Sequence, residues 1–173
     1  MIHPGKILEH NTKKGKVNLH CLTDIHVGSK VFDRALFLKA IKTIKDDPNA
    51  LWFGNGDMLE FIPPNYHIPE GDQAFDNNEQ YSQFVKMVRP IMNKCVFMRG
   101  GNHDTLRSVR LAGIDIIRVL CEDLEVPYFP FPGYAVINYK HSRFTFASGH
   151  GKSGGKNGDI ELIKLRNIFP DAD

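Results

Sequence analysis

Cys95-Val96-Phe97-Met98-Arg99-Gly100-Gly101-Asn102-His103-Asp104 passes abruptly from the composition of a buried strand to a cluster of polar side chains that ligate metals. The apolar half is short and rich in β-formers, as a strand covered on both faces requires, and the glycine pair frees the backbone to turn. The same change recurs along the chain. Val17–Thr23 alternates enough to be a strand and runs into Asp24-Ile25-His26; Ala50–Phe53 is closed by Gly54-Asn55-Gly56 and followed by Asp57; Phe144–Ala147 precedes Gly149-His150. A repeated order of strand, polar loop and helix predicts an α/β fold with its polar residues at the carboxyl ends of strands, where open α/β sheets bind ligands.

Between these islands the periodicity predicts helices. One spans Phe32–Lys45, with Leu36, Ala40 and Ile44 on a face and Asp46-Asp47-Pro48-Asn49 as its stop. A second spans Asn78–Met92, where Pro90 must end or kink it. The strongest helical pattern is Thr105–Leu124, with Leu106, Val109, Ile114, Ile117, Leu120 and Leu124 as its apolar face. Tyr134–Tyr139 and Phe144–Ala147 are expected to form a hairpin around Lys140-His141-Ser142, and Asp159–Ile168 a last helix before Pro170. Phe61–Gly71, with three prolines, reads as an irregular surface loop.

The chain has 173 residues, the size of one domain, and contains no internal repeat. With 42 % hydrophobic and 24 % charged residues it matches ordinary globular proteins, and no apolar run reaches the roughly 18 residues a membrane span needs. The start lacks a secretory pattern, and Cys21, Cys95 and Cys121 are scattered in apolar segments, so a cytoplasmic location is expected. A net charge of +2 does not favour nucleic acid as a partner, since phosphate-backbone affinity needs clustered cations.

Asp24, His26, Asp57, Asn102, His103, Asp104 and His150 offer mixed nitrogen and oxygen ligands without a thiolate, a set suited to Zn, Mn, Fe or Co. In Asp24-x-His26 an extended chain would place both ligands on one side and return Ile25 to the core. Each island alone is commonly a turn. Their joint occurrence, always after an apolar strand, points to a metal centre.

Asp24 and His26; Gly56, Asp57 and Glu60; Gly101 to Asp104; and His150 together resemble the pattern of the calcineurin-like metallophosphoesterase superfamily. The family's closing Gly-His-x-His does not occur before Asp173. The resemblance implies a metallophosphoesterase-like sandwich of β-sheets flanked by helices, with residues 1–173 forming a single domain expected to lack its final segment. It implies two divalent ions: Asp24 and His26 on the first, Asn102 and His150 on the second, Asp57 bridging them. His103 would be the general acid, oriented by Asp104. Paired cations polarise phosphoryl oxygens and offset charge during in-line displacement, which suits hydrolysis of a phosphomonoester or phosphodiester. Each metal would be one protein ligand short, and an exposed strand edge would allow self-association. The alternative is a catalytically silent phosphoesterase-like domain that binds a phosphate-bearing ligand or a protein partner.

Arg107 and Arg110, three apart after His103, are candidates to clamp substrate phosphate through planar hydrogen bonds; a solvated helix face is the competing reading. Tyr66 and His67 could stack on a leaving group. His3, His10, His20 and His141 read as exposed or strand-packed. Gly149–Asn157 fails as a phosphate loop on register, because Phe146 or His150 stands where the first glycine is required.

Overall fold

In the computed structural model the described residues are 8–13, 15–63, 73–129, 133–151, 163, 166 and 167. Strands β1 (Leu8–Thr12), β2 (Asn18–Leu22), β3 (Ala50–Asn55), β4 (Cys95–Arg99), β5 (Gly133–Tyr139) and β6 (Ser142–Ser148) build two three-stranded sheets. One has the order β2-β3-β4, all parallel; in the other β5 lies between a parallel β1 and an antiparallel β6.

The alternation of side chains across β3 sets the layers. Ala50 and Trp52 point into a core shared with helix α1 (Arg34–Asp46), helix α2 (Asn77–Val88) and helix α4 (Ile116–Asp123), through residues such as Ile41, Phe84 and Leu120. Leu51 and Phe53 point the other way and, with Val96 and Phe97, meet Ala135, Ile137 and Phe146 of the second sheet. Helices therefore cover one face of the parallel sheet and the second sheet covers the other. Burial of a side chain such as Phe84, 0 % exposed, contributes roughly 1.5–3 kcal/mol. Trp52 donates its indole N–H to the Ile91 carbonyl at 2.8 Å, which satisfies its polar atom inside the core.

Most expected elements are found with shifted ends, and the two-residue turn at Lys140-His141 closes the β5–β6 hairpin. Three differ. Strand β1 was not anticipated, because Leu8-Glu9-His10-Asn11-Thr12 carries one apolar residue and no alternation; its pairing to β5 rests on backbone geometry. Helix α2 ends at Val88, short of Met92, and the chain continues as a 3₁₀ turn, Arg89–Lys94, so the break expected at Pro90 is found there.

The expected helix Thr105–Leu124 is three pieces: a π-helical turn at Asn102–Arg107, helix α3 at Ser108–Ala112, and α4. Gly113, with φ 69°, ends α3, and the Asp115 carboxylate caps α4 by accepting from the Arg118 amide. The expected apolar face divides accordingly. Ile117, Leu120 and Leu124 are buried, whereas Leu106, Val109 and Ile114 are 56 %, 48 % and 38 % exposed.

Tyr66 and His67, most of the proline-rich loop, the glycine-rich Lys152–Asn157 and the chain end at 168–173 lie outside the described residues. Of the last expected helix, Ile163, Arg166 and Asn167 are described and are helical. No helix among the described residues is long and apolar enough to cross a membrane.

Candidate metal centre

Because β2, β3 and β4 are parallel, the loops leaving their carboxyl ends emerge at one edge of the sheet. The first two loops extend the strand pairing. Asp24 donates its amide to the Gly56 carbonyl and His26 to that of Asp57, both at 3.0 Å, and Val27 to Met58 at 2.9 Å. The third loop is tied to the second by side chains. The Asp57 carboxylate accepts the His103 amide at 2.8 Å, and Asp104 accepts the amides of Gly101 (2.7 Å) and Met58 (2.6 Å). The loop after β6 joins through Asn55, which donates to the Gly149 carbonyl at 3.2 Å and accepts from Ser148 at 2.7 Å.

Two glycines make this convergence possible. A Cβ on Gly101 would lie 2.2 Å from Asp57 Oδ1, and one on Gly56 would lie 2.4 Å from His150 Nδ1. Three of the candidate ligands are themselves in the left-handed region: Asp24 (φ 54°), His26 (φ 50°) and Asp57 (φ 53°). Non-glycine residues held there cost on the order of 1–3 kcal/mol each and gather where function demands a geometry. Asp24 and His26 thus reach the same side through left-handed backbone, not through the extended alternation their spacing suggested. Ile25 packs against the core as expected.

Asp57, 2 % exposed, stands at the centre. Ligand atoms of His26, Asp57 and His103 lie within 4.8 Å of one another, and so do those of Asp24, Asp57 and His150. Asp57 Oδ2 is 3.3 Å from His150 Nε2 and 3.8 Å from His26 Nε2; His26 Nε2 is 4.0 Å from Asp24 Oδ1. Two ligands bound about 2.1 Å from one ion stand about 3–3.5 Å apart, so the spacing and the donor types fit transition-metal coordination after small adjustments. Asn102 is exposed, with Oδ1 3.1 Å from His150 Nε2.

The ring nitrogens are prepared for this role. His26 Nδ1 and His103 Nδ1 lie 2.9 and 3.0 Å from the two oxygens of Glu60. An ionised carboxylate only accepts, so both Nδ1 atoms carry hydrogens and both Nε2 atoms are turned away from Glu60. His150 Nδ1 likewise faces the Asn55 carbonyl at 2.8 Å, leaving Nε2 toward Asp57.

The electrostatics follow. The hydrogen bond with Asp57 raises the His150 pKa to about 9 against the effect of burial, and the bond with Glu60 raises that of His26. Burial alone would raise Asp57 and Glu60; their histidine partners outweigh it and hold both carboxyls below their ordinary range. Asp104 is different. Fully enclosed, it is pushed up to about 6 by burial, opposed by the amides it accepts.

The structure brings Asp24, His26, Asp57, Asn102, His103 and His150 together, with differences in detail. Asp24 groups with His150, and His103 groups with His26. Asp104 does not orient the His103 ring: its carboxylate is directed at backbone amides, and Glu60 holds the ring instead. Sequence reasoning noted Glu60 in Gly56-Asp57-x-x-Glu60 but gave it no role; that spacing was the available signal. Arg107 reaches the site, donating to the Glu60 carbonyl at 3.1 Å and lying 3.2 Å from His103 Nε2. Arg110 is exposed on α3.

No family model matches the chain, and no curated protein is significantly similar to it.

Proposed function

We propose that the chain is a metal-dependent phosphohydrolase of the metallophosphoesterase type, cleaving a phosphomonoester or phosphodiester at two divalent ions held around Asp57. The observation that carries this reading is that one buried carboxylate belongs to both groups of closely spaced ligand atoms. Zn, Mn, Fe or Co suits the nitrogen and oxygen donors. When bound, the ions supply charge stabilisation and an activated water for in-line displacement.

The chain's own groups do the rest. Asp57 offsets the positive charge of both positions, and Glu60 fixes the tautomer and direction of His26 and His103. His103 keeps its Nδ1 hydrogen toward Glu60 and, as general acid, would deliver a proton from Nε2 to the departing ester oxygen. Arg107, next to Nε2, directs its guanidinium toward phosphate oxygens as they approach.

The test is metal content and turnover of bis-(4-nitrophenyl) phosphate for the parent and Asp57→Asn. The parent is expected to hold two ions and turn over, and the variant to lose both ions together. Equal stoichiometry in the two proteins removes Asp57 from the bridging role. A parent with neither metal nor turnover is the silent domain.

A further inference from the structure

Beside the metal cluster, between the β2–α1 connection and the first turns of α1, lies a recess of about 420 Å³. That is within the range of roughly 300–1,000 Å³ typical of small-molecule sites. Its wall includes Asp24 and His26, so the recess and the candidate metal centre share residues. The remainder is largely apolar: Ile25, Val31, Phe32, Leu36 and Phe37. Val31 and Leu36, 89 % and 63 % exposed, stand at its lip, two large apolar side chains kept in water where solvent meets the site.

The position is built, not incidental. Ser29 accepts the amides of Val31 through its hydroxyl (3.3 Å) and Phe32 through its carbonyl (3.1 Å), and the Asp33 carboxylate caps α1 by accepting the Leu36 amide at 2.9 Å. These bonds fix the backbone that carries the apolar side chains. Among the described residues, the ionisable groups of the wall are Asp24, His26 and Asp33, with no lysine or arginine. Such a wall disfavours a second anionic group and favours a neutral one.

We propose that this recess takes the uncharged aromatic substituent of the phosphate ester whose phosphoryl group lies at the Asp57 cluster. The inference rests on the phosphoesterase reading and adds a substrate class to it. The enzyme selects esters with one planar apolar substituent over small alkyl or multiply phosphorylated ones. Ion binding and phosphoryl contact come from the loops at the strand ends, and selectivity comes from the start of α1.

The experiment is calorimetric titration of the manganese-loaded full chain with phenylphosphonate and methylphosphonate. A second titration of the metal-free chain with phenol is followed by amide chemical shifts. Burial of a phenyl ring gives an expected preference for phenylphosphonate of roughly 10- to 100-fold. Leu36→Asp should bring that ratio close to one, whereas Leu38→Asp, also exposed on α1 but outside the recess wall, should retain it. Phenol should shift amides from Ile25 to Leu36. Equal affinities for the two phosphonates in the parent, or a full preference in Leu36→Asp, overturns the recess assignment and leaves the metal reading standing. Phenol shifts elsewhere do the same. Failure of both phosphonates to bind, with phenol still found in the recess, overturns the phosphoesterase reading and this proposal with it.

Discussion

Glu60 receives the Nδ1 hydrogens of His26 and His103 on its two oxygens, and Arg107 lies 3.3 Å from one of them. A glutamine there has one acceptor oxygen, and its amide nitrogen would face the Nδ1–H of one ring. That ring must then rotate or change tautomer, taking its Nε2 lone pair out of line. Glu60→Gln is therefore expected to lower metal affinity by about 10- to 100-fold, the usual effect of losing a group that orients ligands. A competitive chelator titration measures it; an unchanged affinity would show that the rings are oriented by other contacts. Arg99 presents the opposite case, a buried charge with little to hold it. It is 2 % exposed, its Nε and Nη2 have no hydrogen-bond partner among the described residues, and its guanidinium lies 4.9 Å from the Phe129 ring centre and 5.7 Å from that of Phe97. Burial lowers its pKa to about 10. Stacking on the two rings recovers part of the desolvation cost, but the orphaned donors remain. Arg99→Met, similar in length and apolar, should raise unfolding stability by about 1–3 kcal/mol in urea titration. A lower urea midpoint would mean that the ring contacts outweigh the unpaired donors.

At the scale of elements, the connection from β4 to α4 decides how the third ligand loop is held. Asp115 caps α4, accepts the Thr105 hydroxyl at 2.9 Å and also accepts the Tyr128 hydroxyl, so one residue ties the π-helical turn, α4 and the segment before β5. Asp115→Ala removes a cap and leaves two hydroxyls without their acceptor, an expected cost of about 2 kcal/mol. Urea unfolding measures the loss, and hydrogen exchange should place the added opening at residues 102–118. This element also marks where sequence reading stopped. Apolar periodicity runs through Gly113 without interruption, so the pattern suggested one helix, and only backbone conformation divides it. Strand β1 was invisible for the converse reason, since a strand paired through its backbone needs no apolar alternation. Strands β3 and β4 were legible because they are continuous apolar runs buried on both faces, and the ligand loops were legible because their polar residues follow those runs directly. The left-handed conformations of Asp24, His26 and Asp57 were not, for no glycine marks them. Nor was the role of Glu60, which depends on two loops lying side by side.

For the whole molecule, the candidate ligands come from both sheets: Asp24, His26 and Asp57 follow strands of the parallel sheet, and His150 follows β6 of the other. Bound ions would therefore fasten the two layers together. Free metal at about a hundred times its dissociation constant stabilises by about 2.7 kcal/mol per site. In a domain of this size that raises Tm by about 5–10 °C. The dependence on pH distinguishes this from a general salt effect. In the metal-free protein the His150–Asp57 interaction raises the folded pKa of His150 from 6.5 to about 9. The folded state then binds more protons than the unfolded state between those values, so this contribution is full below pH 6.5 and is lost as pH rises through about 9. His26, also raised, acts in the same direction. A metal must displace those protons to bind, so its own contribution grows over the same interval. The difference in Tm between manganese-loaded and chelator-treated protein is therefore expected to widen from pH 6.5 to 9, as read by scanning calorimetry with matched ionic strength. A difference that stays constant or narrows would remove His150 from the ligand set, because a metal that leaves its ring untouched would have no proton there to displace.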